Sequence, residues 1–164
     1  MYIIVRAIWL MLPAYIPNTA AALIKGKTPI DFGRNFFDGK RIFGDGKTYR
    51  GFFGGALCGF LLGIAQTTFP ILVLICLSFG AMLGDLTKSF FKRRLGIEKG
   101  KPLPLADQLD LVFGAWLLTY LFQRDWFLTN FTLDVIVTVL IITPLLHLAM
   151  NALGYVTGKK DVWW

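Results

Sequence analysis

Five stretches of this chain are apolar almost without interruption, at about 2–24, 52–69, 71–91, 105–122 and 133–154, and polar residues crowd into the connections between them. Each stretch is near the length of about 20 residues that a helix needs to cross a bilayer at a rise of 1.5 Å per residue. The pattern predicts an all-α integral membrane protein: five transmembrane helices with a long cytoplasmic loop between the first two, in a single membrane-embedded domain over residues 1–164. Pro13 and Pro17 predict a kink in the first helix, with Asn18 hydrogen-bonding locally beside the freed backbone. Gly55, Gly59 and Gly63 in the second segment, and Gly80 and Gly84 in the third, recur every four residues, a spacing that lets helix backbones approach closely in lipid. The first segment lacks a basic leader. It reads as retained, although Ala20-Ala21-Ala22 loosely resembles a cleavage zone.

Composition agrees with lipid as the solvent. Of 164 residues 55% are hydrophobic and only 16% charged, against about 25% in soluble domains. A core this small cannot enclose that much apolar surface, and this argues against a soluble globular domain. The net charge of +7 needs no nucleic acid to explain it. With five spans, fifteen of the seventeen cations fall on one face: seven in residues 25–51, six between Lys88 and Lys101, and Lys159 and Lys160 in the tail. The positive-inside rule makes that face cytoplasmic. The expectation is a multi-pass plasma-membrane protein with its amino terminus outside and its carboxyl terminus in the cytoplasm. Cys58 and Cys76 both lie inside apolar segments and read as packing residues.

Charge at bilayer depth is expensive, so the carboxylates beside the spans are where chemistry is expected. Asp85, Lys88, Ser89 and Lys92 share one helix face at the end of the third segment, and Asp107 and Asp110 share one at the start of the fourth. A turn containing Pro102 and Pro104 joins the two ends, so the three carboxylates can meet. Grouped acids repel unless a cation joins them, and Mg²⁺ prefers oxygen ligands shared with substrate phosphates. Asp85, Asp107 and Asp110 are the predicted metal ligands. The competing reading pairs Asp85 with Lys88 or Lys92 and leaves Asp107 and Asp110 as caps of the fourth helix.

The long loop carries Gly26, Gly33, Gly39, Gly44, Gly46 and Gly51 among Lys25, Lys27, Arg34, Lys40, Arg41, Lys47 and Arg50. Glycine-rich backbone with cations, leading into a helix amino terminus, suits a polyphosphate. It is not a nucleotide-binding P-loop, because Arg41 stands where that motif needs its first glycine. In the last segment His147 and Asn151 lie one turn apart on one face, where His147 either hydrogen-bonds to a neighbouring helix or meets a substrate.

Two stretches then resemble a known family. Ser89-Phe90-Phe91-Lys92-Arg93, followed by Pro104 and Asp107-Gln108-Leu109-Asp110, is similar to the signature of membrane phosphatidate cytidylyltransferases, and so is Lys47-Thr48-Tyr49-Arg50-Gly51-Phe52-Phe53-Gly54-Gly55. The short chain and Gly26-Lys27-Thr28-Pro29-Ile30-Asp31-Phe32-Gly33 resemble the archaeal branch of that family, the CDP-archaeol synthases. Glu98-Lys99 and Leu105-Ala106 depart from the bacterial pattern, which has Lys-Asp and His-Gly-Gly there.

The resemblance implies Mg²⁺-dependent transfer of a cytidylyl group from CTP to a lipid phosphate in the bilayer, an isoprenoid glycerol-1-phosphate diether in the archaeal branch. It implies CTP binding by Lys27, Asp31, Gly44, Lys47, Thr48, Arg50 and Gly51, and catalysis by Asp85, Asp107, Asp110, Lys88, Lys92 and Arg93, with the three cations on the lipid phosphate or pyrophosphate. A small transporter or channel, and a lipid or polyprenol kinase, are the rival readings. Oligomeric state leaves no mark in the sequence.

Overall fold

The computed structural model describes residues 2–24, 26–97, 101–156 and 158. The predicted positions Lys25, Glu98, Lys99, Lys159 and Lys160 lie outside them. The described residues form six helices: α1 (Tyr2–Ile24), α2 (Tyr49–Ala65), α3 (Ile71–Arg94), α4 (Ala106–Phe122), α5 (Arg124–Asn130) and α6 (Leu133–Val156). By length and apolarity α1, α3 and α6 can cross a membrane. α2 and α4 have 17 residues each, about 25 Å at 1.5 Å per residue. Both fall short of the roughly 30 Å hydrocarbon core.

Helix ends differ from the expected ones for local reasons. α2 begins at Tyr49 rather than 52 because Thr48 caps it, its Oγ1 accepting from the Gly51 N–H at 3.1 Å. α3 runs on to Arg94, with Lys92, Arg93 and Arg94 in the last turn, where cations suit the negative helix end. The connection at 123–132 is partly helical: α5 seats Phe127, and Phe131 follows it, against Trp116 of α4.

α3 is the central element, packed on α4, α2 and α1, while α6 leans on α1 and α4. Its buried face steps by helical turns through Val73, Leu77 and Ala81, then changes chemistry at Asp85, Ser89 and Lys92. That single stripe is apolar through the bundle and polar at one end, which fixes where a site can form. The outward faces of the helices expose Leu57, Leu61, Phe113, Leu117 and Ile141, a surface made for lipid.

The glycines work as expected, through absence of bulk. A Cβ on Gly59 would sit 2.4 Å from the Pro13 carbonyl oxygen, so α1 and α2 meet backbone to backbone. A Cβ on Gly84 would sit 2.0 Å from the Asp110 carbonyl oxygen, and one on Gly114 would sit 2.2 Å from that of Gly80. The Pro13 carbonyl accepts from Ser78 Oγ at 3.3 Å. The local hydrogen bond expected of Asn18 is not made through Oδ1, which is buried without a partner among the described residues. Cys58 and Cys76 are free thiols.

Candidate active site

Where α3 turns polar, three carboxylates from two helices converge on one ammonium. Lys88 Nζ lies 2.7 Å from Asp110 Oδ2, 3.2 Å from Asp85 Oδ1 and 3.5 Å from Asp107 Oδ1. Lys47, from the long loop, reaches Asp85 Oδ2 at 2.5 Å, and Lys92 reaches Asp107 Oδ2 at 3.0 Å. Lys92 also donates to the Lys101 carbonyl at 2.6 Å. Three negative groups at this spacing cannot share a poorly solvated site unless cations stand between them. Here three lysines do so, with Lys88 at the centre.

The α3–α4 turn aims Asp107. Its Oδ2 accepts from the Leu103 N–H at 2.6 Å, closing the first turn of α4, and Leu105 takes a left-handed backbone (φ +64°) at the helix cap. The bare backbones at Gly84 and Gly114 bring α4 close enough for Asp110 to face Lys88. The three carboxylates do meet, and Asp85 does pair with Lys88, but neither Asp107 nor Asp110 caps α4, whose cap residue is Leu105 with no side-chain hydrogen bond. Among the described residues no three His, Cys, Asp or Glu side chains form a ready-made metal cage, because the ammonium of Lys88 fills the centre. The donor chemistry still fits a hard divalent cation: three carboxylates surround one point, and Asp110 Oδ2 is buried without a well-directed hydrogen bond.

The long loop forms the opposite wall, and Asp31 organises it. Its carboxylate is buried and accepts from Arg41 Nη2 at 2.7 Å, from the N–H groups of Phe43 and Gly44 at 2.9 Å, and from that of Gly33 at 3.1 Å. Burial opposes its charge, but Arg41 and the three backbone donors outweigh that and hold the carboxyl far below the usual range. Arg41 in turn, hydrogen-bonded to Asp31 and to Asp45, keeps its proton more firmly than usual. Arg94 straps the loop to the end of α3: it pairs with Asp38 at 2.7 Å, donates to the Arg41 carbonyl at 2.6 Å and lies over the Phe36 and Phe90 rings.

A lowered folded-state pKa means the Asp31 contribution is present above the unfolded value of about 3.9 and disappears as pH falls through the folded one. Amide protection across residues 33–44 is therefore expected to hold down to about pH 4 and to decline below it. In Asp31→Asn it should already be about tenfold lower at neutral pH. Hydrogen exchange corrected for intrinsic rates reads both outcomes.

Between loop and helices lies a cleft of about 580 Å³. Of the predicted residues, Gly44, Lys47, Lys88, Lys92, Arg93 and Asp107 line it. Asp85 and Asp110 lie under its floor, joined to it through Lys88. Thr48 and Gly51 instead build the first turn of α2, and Asp31 spends its oxygens on its own loop. Lys27 and Arg50 are exposed and are not among the lining residues. Arg93 Nε is buried with no hydrogen-bond partner among the described residues, beside a cleft suited to an anion. Sequence reasoning gave no role to Arg41, Phe43 or Arg94. Arg41 and Asp45, four apart and opposite in charge, were the available signal.

A second cavity of about 430 Å³ lies beyond Lys88, Lys92 and Asp107, which line both, and His147 and Asn151 stand in its far wall.

With this geometry in view, similarity to known proteins is extensive. A CDP-archaeol synthase of Methanosarcina acetivorans is 50% identical over 93% of this chain and all of its own length. One of Methanoculleus marisnigri is 51% identical over 94% of this chain and all of its own. A solved structure, described as an intramembrane enzyme for archaeal membrane lipids biosynthesis, superposes with a TM-score of 0.77 at 38% identity, over 90% of this chain and 94% of that one. The family model described as CarS-like, CDP-archaeol synthase, matches residues 1–164, and the chain belongs to that family.

Proposed function

We propose that this protein transfers the cytidylyl group of CTP to the phosphate of an isoprenoid glycerol-1-phosphate diether lipid, with Mg²⁺, releasing pyrophosphate. Its class, a CTP-dependent cytidylyltransferase of archaeal lipid biosynthesis, comes with the family; the acceptor, the metal and the residue roles are our reading. The observation that carries it is the convergence of Asp85, Asp107 and Asp110 on one point beneath a lysine-lined cleft.

A phosphate monoester is mostly dianionic at pH 7, with a second pKa of about 6, so the acceptor is a nucleophile without a strong base. The obstacle is bringing two polyanions together. Lys47 and Arg93 face the cleft and hold the triphosphate of CTP, with Gly44 presenting backbone at the loop wall. Lys88 and Lys92 neutralise charge where acceptor and leaving group meet. A Mg²⁺ held by Asp85, Asp107 and Asp110 would supply electrostatic stabilisation of the in-line displacement. Asp31, Thr48 and Gly51 act by shaping the loop and the start of α2, and Lys27 and Arg50 by long-range attraction of the nucleotide.

We read α2 and α4 as crossing with α1, α3 and α6, which makes five spans in the plasma membrane, amino terminus outside and carboxyl terminus in the cytoplasm. Supporting this, both short helices lie along α3 and expose apolar rows, Leu57–Leu61 and Phe113–Leu117–Leu121. A transporter would continue its polar path through the bundle, whereas the buried face of α3 from Val73 to Ala81 is apolar but for Ser78, whose hydroxyl is spent on the Pro13 carbonyl.

Purified protein given CTP labelled in the α-phosphate, Mg²⁺ and lipid phosphates of both glycerol stereochemistries should label the glycerol-1-phosphate diether and release pyrophosphate. Release of a nucleoside diphosphate would mark a kinase instead. Lys47→Met should weaken CTP binding about tenfold or more, and unchanged affinity would remove Lys47 from the nucleotide site.

A further inference from the structure

Three cations in a row end α3, and at about 100° per residue they face different ways. Lys92 turns to Asp107, Arg93 lines the cleft, and Arg94 turns toward the hairpin of the long loop. Arg94 is not among the residues that line the cleft, and its side chain is only 18% exposed. A cation in the last turn of a helix ordinarily serves the helix dipole from solvent. This one is spent on another segment.

That segment folds back on itself. Asn35 bridges to Arg41, the Phe36 N–H donates to the Lys40 carbonyl at 2.8 Å, and the Ile42 N–H donates to the Arg34 carbonyl at 3.3 Å. Its returning limb contributes Lys40, Arg41, Phe43 and Gly44 to the cleft wall. Asp31 takes the N–H groups of that limb, at Phe43 and Gly44. Arg94 takes its carbonyls: Nη2 donates to Arg41 at 2.6 Å and to Lys40 at 3.2 Å. The exchange is mutual, since Lys40 Nζ donates to the Arg94 carbonyl at 2.9 Å. Phe36 and Phe90, with ring centres 5.0 and 4.7 Å from Arg94 Cζ, fix the plane of the guanidinium. The wall is thereby referenced to α3, the rod that also carries Asp85, Lys88 and Lys92.

We propose that Arg94 is a positioning residue for CTP, which it does not touch: it holds the wall at Lys40–Gly44 at the spacing from α3 that the nucleotide requires. This rests on the reading of the cleft as the CTP site and adds the residue that sets its affinity. With the strap in place, the wall stands in its binding form before nucleotide arrives. Without it, the wall visits that form for a fraction of the time, and the apparent dissociation constant is the intrinsic one divided by that fraction. Bound nucleotide restores the form, so affinity falls while turnover at saturation does not. The task calls for arginine. An ammonium could keep the pair with Asp38, but it cannot lie flat between two rings while donating to two carbonyls.

Arg94→Met, in nanodiscs, should raise both Kd and KM for CTP about tenfold, with kcat at saturating CTP and the KM for lipid within about twofold of the parent. Amide exchange supplies a reading that a general loss of stability would not give. Residues 36–42 should lose protection in free Arg94→Met and regain it at saturating CTP, while the parent is protected in both states. Arg94→Lys should follow Arg94→Met rather than the parent, and it decides the question if Arg94→Met does not fold. An unchanged Kd for CTP would overturn the proposal. So would a fall in kcat with Kd retained, or protection that CTP does not restore, since either would reduce the strap to fold stability. Release of a nucleoside diphosphate by the parent would sink the transferase reading alone, because nucleotide affinity would still judge Arg94.

Discussion

Replacing one oxygen atom by an NH₂ group, in Asp85→Asn, is expected to lower turnover by about a thousandfold or more while the protein still inserts and folds. Two features of the site give that result. Among the described residues Asp85 is the only carboxylate that touches both the loop, through Lys47, and the centre, through Lys88. Removing its charge therefore frees the nucleotide wall and withdraws one of three anionic donors at once. Loss of an electrostatic group at a developing charge commonly costs 10²–10³ in rate, and on the proposed reading the set of carboxylates that would hold Mg²⁺ is reduced as well. The fold should survive because neither lysine is stranded. Lys88 keeps Asp107 and Asp110, and the Lys47 side chain is 27% exposed. Complete loss of a buried partner would cost about 3–5 kcal/mol, and this substitution avoids it. Turnover from labelled CTP, read beside the elution profile and thermal midpoint of the purified variant, checks both halves. Activity within tenfold of the parent would remove Asp85 from the reaction.

Gly84→Ala should be the most damaging single methyl group in the protein. The added Cβ would lie 2.0 Å from the Asp110 carbonyl oxygen and 3.2 Å from the Cα of Gly114. Both are helix backbone, so no side chain can rotate away. α3 and α4 must separate, and α4 carries Asp107 and Asp110 with it. Overpacking a tight contact costs about 1–3 kcal/mol, more where only backbone can yield. The expected readings are a thermal midpoint lowered by several degrees and turnover reduced at least a hundredfold, since misplacement by about 1 Å can cost that much. Leu72→Ala, on the lipid-facing side where Leu72 is 46% exposed, should leave both near parental values. If Gly84→Ala kept its activity, the close seam between these helices would not be what sets the site.

The helices were readable because lipid leaves a coarse record: long apolar runs, punctuated by charge. The convergence of Asp85 with Asp107 and Asp110 was readable too, since three-residue spacing on two helices joined by a short turn leaves few alternatives. The inner order of the loop was not. Asp31 reads as one more polar residue among glycines and cations, and its role depends on Arg41 and on backbone N–H groups as far away as Gly44. Nothing local distinguishes that arrangement from a carboxylate facing a nucleotide. Thr48, three residues before Gly51, carries the signature of a helix cap, which its place between Lys47 and Arg50 in a stretch that resembles a binding motif obscures. α5 escaped notice because seven residues are too few to show a period. That Lys88 meets three carboxylates was not legible, because spacing shows which face a side chain occupies and not how many acids it will meet.

The three carboxylates and the three lysines that meet them cancel in formal charge. A newly made chain therefore does not have to carry a naked triple anion to the bilayer surface, where burial of uncompensated charge would oppose insertion. It can complete its passage into the membrane and settle its helices before encountering nucleotide. Biogenesis is thereby uncoupled from the supply of substrate, and a cell short of nucleotide would accumulate an assembled enzyme, ready to resume lipid synthesis when supply returns.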